Sequence, residues 1–145
     1  ELMEPRDALF GSIVGTFDHI LVVAEIFRAH LEGRSHPHTA RFRDEELPFA
    51  EVAKRLRAMN DHYVELACHW TDAELAEVIK FEFVDGGKGA MTREDILLHL
   101  VNHATYHRGF ISALLYPHKT KGAANDLTVF LRDVWPGMLS SQPVP

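Results

Sequence analysis

The sequence predicts an all-α fold, an up-and-down helical bundle with a small β-hairpin inserted before its last long helix. Three observations predict it. The stretches Phe10–Leu31, Pro48–Trp70 and Asp95–Leu115 each repeat apolar residues at helical spacing. Capping residues stand where helices should start, and Pro117 stops the last long stretch. Between the second and third stretches, a short alternating run meets a glycine-rich turn.

On the first helix, Ile13, Phe17, Ile20, Val23, Ala24, Phe27 and Leu31 fall within roughly 120° of one another on a helical wheel. Asp18, Glu25 and Glu32 are expected on the opposite, solvated side. His19 falls on the inward half, near its border. His30 has a similar angle but lies eleven residues on, roughly 16 Å along the axis, so the two cannot share one ion. Glu32 to Glu46 reads as a loop holding His36 and His38.

The second helix starts near Pro48, a residue suited to a first helical turn. Val52, Leu56, Met59, Tyr63, Leu66 and Trp70 make its apolar stripe. His62 and His69 fall on its charged flank with Glu51 and Arg55 and read as surface histidines. Thr71 and Glu74 form a capping box for a short turn over Asp72 to Glu77. Val78 to Val84 alternates around Phe81 and Phe83. The glycine turn Asp85 to Gly89 leads to Ala90 and Met91, which gives the hairpin, a candidate roof for a site. A plain connector with no such role is the reading the sequence favours.

The third long helix, DILLHLVNHATYHRGFISALL, opens on Thr92 and Asp95 and carries His99, His103 and His107 at a spacing of four. Residues four apart share one face. The wheel puts His103 and His107 within the apolar stripe, which also takes Leu97, Leu100, Val101 and Ala104, with His99 at its edge. Two neutral imidazoles one turn apart can grip one metal ion. The alternative is that each inward histidine finds a hydrogen-bond partner in the protein, because a polar group in an apolar setting needs one. It is not a zincin motif, since Ala104 stands where that motif needs Glu. After Pro117 comes a loop with Lys119, Lys121 and Gly122. Asn125 or Asp126 then caps a short helix through Asp133.

With 145 residues, 46% of them hydrophobic, the chain fits one domain, expected over residues 1–136 with an extended or disordered tail over 137–145. A net charge of −6 argues against a nucleic-acid partner, which needs a basic face. No run of 18 apolar residues suggests a membrane span, and ELMEPRD does not read as a secretory signal. A single cysteine, Cys68, rules out an internal disulfide framework and fits a cytoplasmic, reducing compartment. Cys68 beside His69 makes a poor nucleophile pair, since neighbours on a helix point about 100° apart. Phosphate-loop, dinucleotide and GxSxG motifs are absent.

Three segments together resemble one family. NHATYHRG at Asn102 to Gly109 is similar to the NHGTHHRG-type signature of the DinB/YfiT-like family. FGSIVGTFDHILVVAEIF at Phe10 to Phe27 resembles its GSIxGTLNHLLxADxxW segment, and NDLTVFLRD at Asn125 to Asp133 its closing DLxxFLR segment. The resemblance implies a helical bundle in which His19, His103 and His107 hold a divalent metal, zinc or nickel being the expected ions. It implies a metal-dependent enzyme, a thiol-dependent transferase or isomerase, with a low-molecular-weight thiol as small-molecule partner; a metal held by three histidines would also fit a hydrolase. The alternative it leaves is a stress- or damage-associated binding module without turnover. Tyr106 and Asn102 are candidate supporting groups; no general base is evident. Family members carry one more long helix before the FGS segment. Its groove is expected to be covered by a second copy in a homodimer, or by the short Asp126–Asp133 helix.

Overall fold

The computed structural model describes residues 2–5, 9–45, 47–118, 126–133, 135 and 137. The fold is mostly helical with one small antiparallel sheet. In order come α1 (Ile13–Leu31), α2 (Phe49–His69), α3 (Asp72–Leu75), β1 (Val78–Glu82), β2 (Lys88–Thr92), α4 (Arg93–Leu115), a 3-10 turn (Tyr116–His118) and α5 (Leu127–Asp133). Lys119, Lys121, Gly122, Asn125 and Pro136 lie outside the described residues, as does the expected tail apart from Gly137. The chain forms two compact units, Glu1–His107 and Arg108–Pro145, with the boundary inside α4.

The helix starts follow from the caps. Ser12 is the N-cap of α1, its hydroxyl accepting the Gly15 N–H at 2.8 Å. Thr71 and Glu74 close a reciprocal box at α3. At α4, Thr92 Oγ1 accepts from Asp95 N at 3.0 Å and Asp95 Oδ2 from Thr92 N at 3.2 Å. Each cap satisfies backbone donors that a helix start leaves open, worth about 1 kcal/mol.

Helix α1 is the spine of the first unit. Its Val14, Leu21 and Ala24 pack on Val52 and Met59 of α2, with Leu56 and Tyr63 alongside. Tyr63 Oη donates to the Ala24 carbonyl at 2.7 Å, which ties α2 to α1. A second cluster joins Val23 and Phe27 of α1 to Phe81 of β1 and Ile96 of α4. The hairpin is therefore built into the core. Its register pairs Phe81 with Gly89. A Cβ on Gly89 would come within 2.5 Å of the Phe81 ring, so this position needs glycine for the ring to lie across the ladder. Gly86 takes φ 87° in the turn, a left-handed value that favours glycine. Arg93 stacks over the Trp70 ring at 4.8 Å and pairs with Glu77, fastening the start of α4 to the α3–β1 corner.

Two expectations are corrected. Asp18 is not on a solvated side: it is buried and ion-paired with Arg43, whose other nitrogen meets Glu25 at 2.6 Å. His38 joins Glu25 at 2.9 Å. The loop after α1 thus folds back over a face that the helical period alone leaves open. Val101 is not inward: it is 62% exposed, as is much of that side of α4 with Leu98 and Tyr106. In the second unit, Ile111 is buried, and α5 begins with the Asp126 carbonyl accepting from Val129 and Phe130, each at 3.1 Å.

Candidate metal centre

Helix α1 carries His19 inward from the middle of its buried face, and α4 carries His103 and His107 one turn apart. The three rings meet with centroids 4.5–4.9 Å apart. One ligand nitrogen from each lies within 4.8 Å of the other two, and His19 Nε2 stands 3.0 Å from His103 Nε2. Nitrogens sharing one tetrahedral ion at metal–nitrogen distances of about 2.1 Å are about 3.4 Å apart. Small ring rotations therefore bring the set onto one centre.

The hydrogen bonds decide which nitrogens are available. His19 Nδ1 stands 2.6 Å from the Arg41 carbonyl. A carbonyl oxygen can only accept, so Nδ1 carries the proton, and Nε2 turns its lone pair to the centre. This is the backbone-to-imidazole support typical of metal-bound histidine. Phe10 stacks on the His19 ring at 4.0 Å and fixes its plane. His107 is buried, and its Nδ1 has no hydrogen-bond partner among the described residues. An orphaned buried nitrogen is costly, and a metal would remove that cost.

Electrostatics point the same way. Burial, reinforced by the neighbouring imidazoles, pulls His103 down to about 3. Burial takes His19 to about 4 against the Arg41 hydrogen bond, which favours the proton, and it lowers His107 too. All three are neutral at pH 7, the state in which imidazole binds metal. Burial also pushes the Asp18 carboxyl above its usual range, outweighing Arg43. Among the described residues no carboxylate belongs to the cluster, so an ion held by three imidazoles would keep coordination positions open.

The three histidines line a cavity of about 590 Å³ together with Phe10, Val23, Phe27, Phe81, Phe83, Val84 and Met91, among others. The hairpin supplies Phe81, Phe83 and Met91, so it does roof the site. Tyr106 lines the cavity with its ring edge 5.0 Å from His107, while Asn102 is exposed. His99 flanks the cluster, its ring 5.6 Å from that of His103. His69 is exposed with Nδ1 donating to the Glu65 carbonyl at 2.7 Å, and His62 lies half-buried 3.8 Å from Glu32, far along the chain from the cluster's helices. The Arg41 carbonyl, the Phe10 ring and the Asp18–Arg43 pair are the parts of the site that sequence reasoning missed. Only the Asp18–Arg43 pair had a signal, the RFRD run at Arg41 to Asp44, which reads as ordinary loop charge.

Fold and site together define a mostly helical protein with a three-histidine cluster suited to a divalent metal. The family model of the DinB family matches residues 1–118, and the chain belongs to that family. No curated protein matches the chain. No helix among the described residues is long and apolar enough to cross a membrane.

Proposed function

We propose that this DinB-family protein binds a divalent metal through His19, His103 and His107 and works as a metal-dependent enzyme. The observation that carries the proposal is the convergence of three neutral imidazoles, two buried and one half-buried, in the wall of a largely apolar cavity. Zinc and nickel are the ions we expect, since imidazole suits both. A divalent ion bound there would lower the pKa of a water or thiol on it and supply a nucleophile at neutral pH. The chain's own part is to hold three neutral donors, orient His19 through the Arg41 carbonyl, and exclude bulk water with Phe10, Phe27 and Phe81. Transfer of a low-molecular-weight thiol to an electrophile is the reaction we favour, with hydrolysis as its rival.

A stress-associated metal module without turnover is the second reading. His99 favours it, because a fourth imidazole 5.6 Å from His103 could close the coordination sphere. The test is consumption of free thiol in the presence of a chloronitrobenzene, by metal-loaded and chelator-stripped protein. Metal-dependent consumption that is lost in His103→Ala supports the enzyme. Stoichiometric metal without turnover of thiol or ester substrates supports the module.

We further propose an up-and-down bundle of DinB type, assembled as a cytoplasmic homodimer. The exposed Leu98, Val101 and Tyr106 on α4 support the dimer, since large apolar patches on a soluble surface mark contact sites. The free, exposed Cys68 suits a reducing compartment. A monomer by light scattering at micromolar concentration would count against the dimer.

A further inference from the structure

The cavity beside the histidines is apolar along its walls and carries charge at one place. Phe27, Phe81, Phe83 and Val84 make a largely aromatic surface. Among the described residues, Arg41 is the one lining side chain with a formal charge at neutral pH, and none of the lining residues is a carboxylate. Arg43, two residues on, is occupied by Asp18 and Glu25. Arg41 has no ion-pair partner among the described residues, although its own carbonyl is fastened to His19. The Arg41 backbone is anchored beside His19, and its exposed side chain meets no counter-charge among the described residues. A cation lining an otherwise apolar cavity favours an anion there, because the apolar walls offer a carboxylate no other partner. A volume of about 590 Å³ lies within the usual range for small-molecule sites.

We infer that the cavity takes an aromatic carboxylic acid, its carboxylate between Arg41 and the histidine cluster and its ring against Phe27, Phe81 and Phe83. This deepens the proposed function by naming the chemical class of small molecule that the site takes. It rests on the metal reading for part of the positive charge at that end, and Arg41 supplies the rest with or without an ion.

Calorimetric titration of the full chain with naphthylacetate and its neutral analogue naphthylethanol tests this, on metal-loaded and chelator-stripped protein, with metal content measured in parallel. The acid should bind at least about tenfold more tightly than the alcohol to loaded protein and several-fold more tightly to stripped protein. Arg41→Met should remove most of that preference, leave the alcohol's affinity unchanged and keep the metal. Arg41→Lys, which keeps the charge, should retain the preference. Equal affinity for acid and alcohol, no binding of either, or a preference that survives Arg41→Met would overturn the inference. If no metal is taken up but the preference for acid persists and depends on Arg41, the inference stands and the metal reading falls.

Discussion

Two helices each carry a pair of histidines, with opposite outcomes. On α4, His103 and His107 are four apart and face His19, so their rings meet and all three lose their protons to burial. On α2, His62 and His69 are seven apart, two turns, on a flank shared with Glu65 and facing Glu32. The comparison teaches that spacing only proposes a site. What makes one is a third donor from another element, together with enough burial to keep every imidazole neutral and short of partners. His62 lacks the third donor, although its Nε2 also has no hydrogen-bond partner among the described residues.

The largest effect that separates the two pairs is loss of metal. His103→Ala or His107→Ala should lower metal affinity on the order of a hundredfold or more, because each removes one of three ligands. His62→Ala and His69→Ala should leave it unchanged. Competition with a fluorescent chelator reads all four. Equal retention by the four variants would place the site elsewhere.

Acid should separate them next. In the metal-free fold His19 takes its proton near pH 4 and His103 near pH 3, well below the free imidazole at about 6.5. Metal affinity should fall as acid protonates the three imidazoles, His19 and His103 titrating well below the free imidazole value and His107 shifted the same way. Metal-free stability follows with its own sign. A histidine whose folded pKa is depressed holds fewer protons than in the unfolded chain. Its contribution is therefore complete above about pH 6.5 and is lost as pH falls toward 4. Urea midpoints of stripped protein should drop across that window, and the drop should shrink in His19→Gln. A midpoint independent of pH would contradict the buried, neutral cluster.

A smaller effect concerns the strap behind His19. Arg43→Ala leaves the Asp18 carboxylate buried without its partner and should cost about 3 kcal/mol by urea unfolding. Arg55→Ala, which breaks the exposed pair with Glu51, should cost far less, because solvent screens that pair. Equal costs would mean that the loop over α1 is not held by that pair. The smallest is the α3 cap: Thr71→Ala should lower stability by about 1 kcal/mol.

Much of this was legible in the sequence because it is local. The helical period of α1, α2 and α4, the Thr71 and Thr92 caps and the glycine turn of the hairpin are statements about residues within a few positions of one another. The inward angles of His103 and His107 are local too, and they held. The parts that were not legible depend on distant pairings. Asp18 reads as solvated until Arg43 arrives from 25 residues away. Val101 lies on the apolar side of its own helix, yet no described element covers it, so the wheel misplaced it. The strand register that sets Phe81 opposite Gly89 needs both strands at once. The Arg41 carbonyl carries no sequence signal at all, because any residue supplies one.

The central claim is that three imidazoles converge in order to hold an ion. Elemental analysis of the protein purified without an affinity tag, beside His19→Ala prepared identically, tests it most directly. About one zinc or nickel per wild-type chain and close to none in the variant is the result expected from a three-ligand site. Metal-free wild-type protein that also fails to take up zinc or nickel at neutral pH would contradict it.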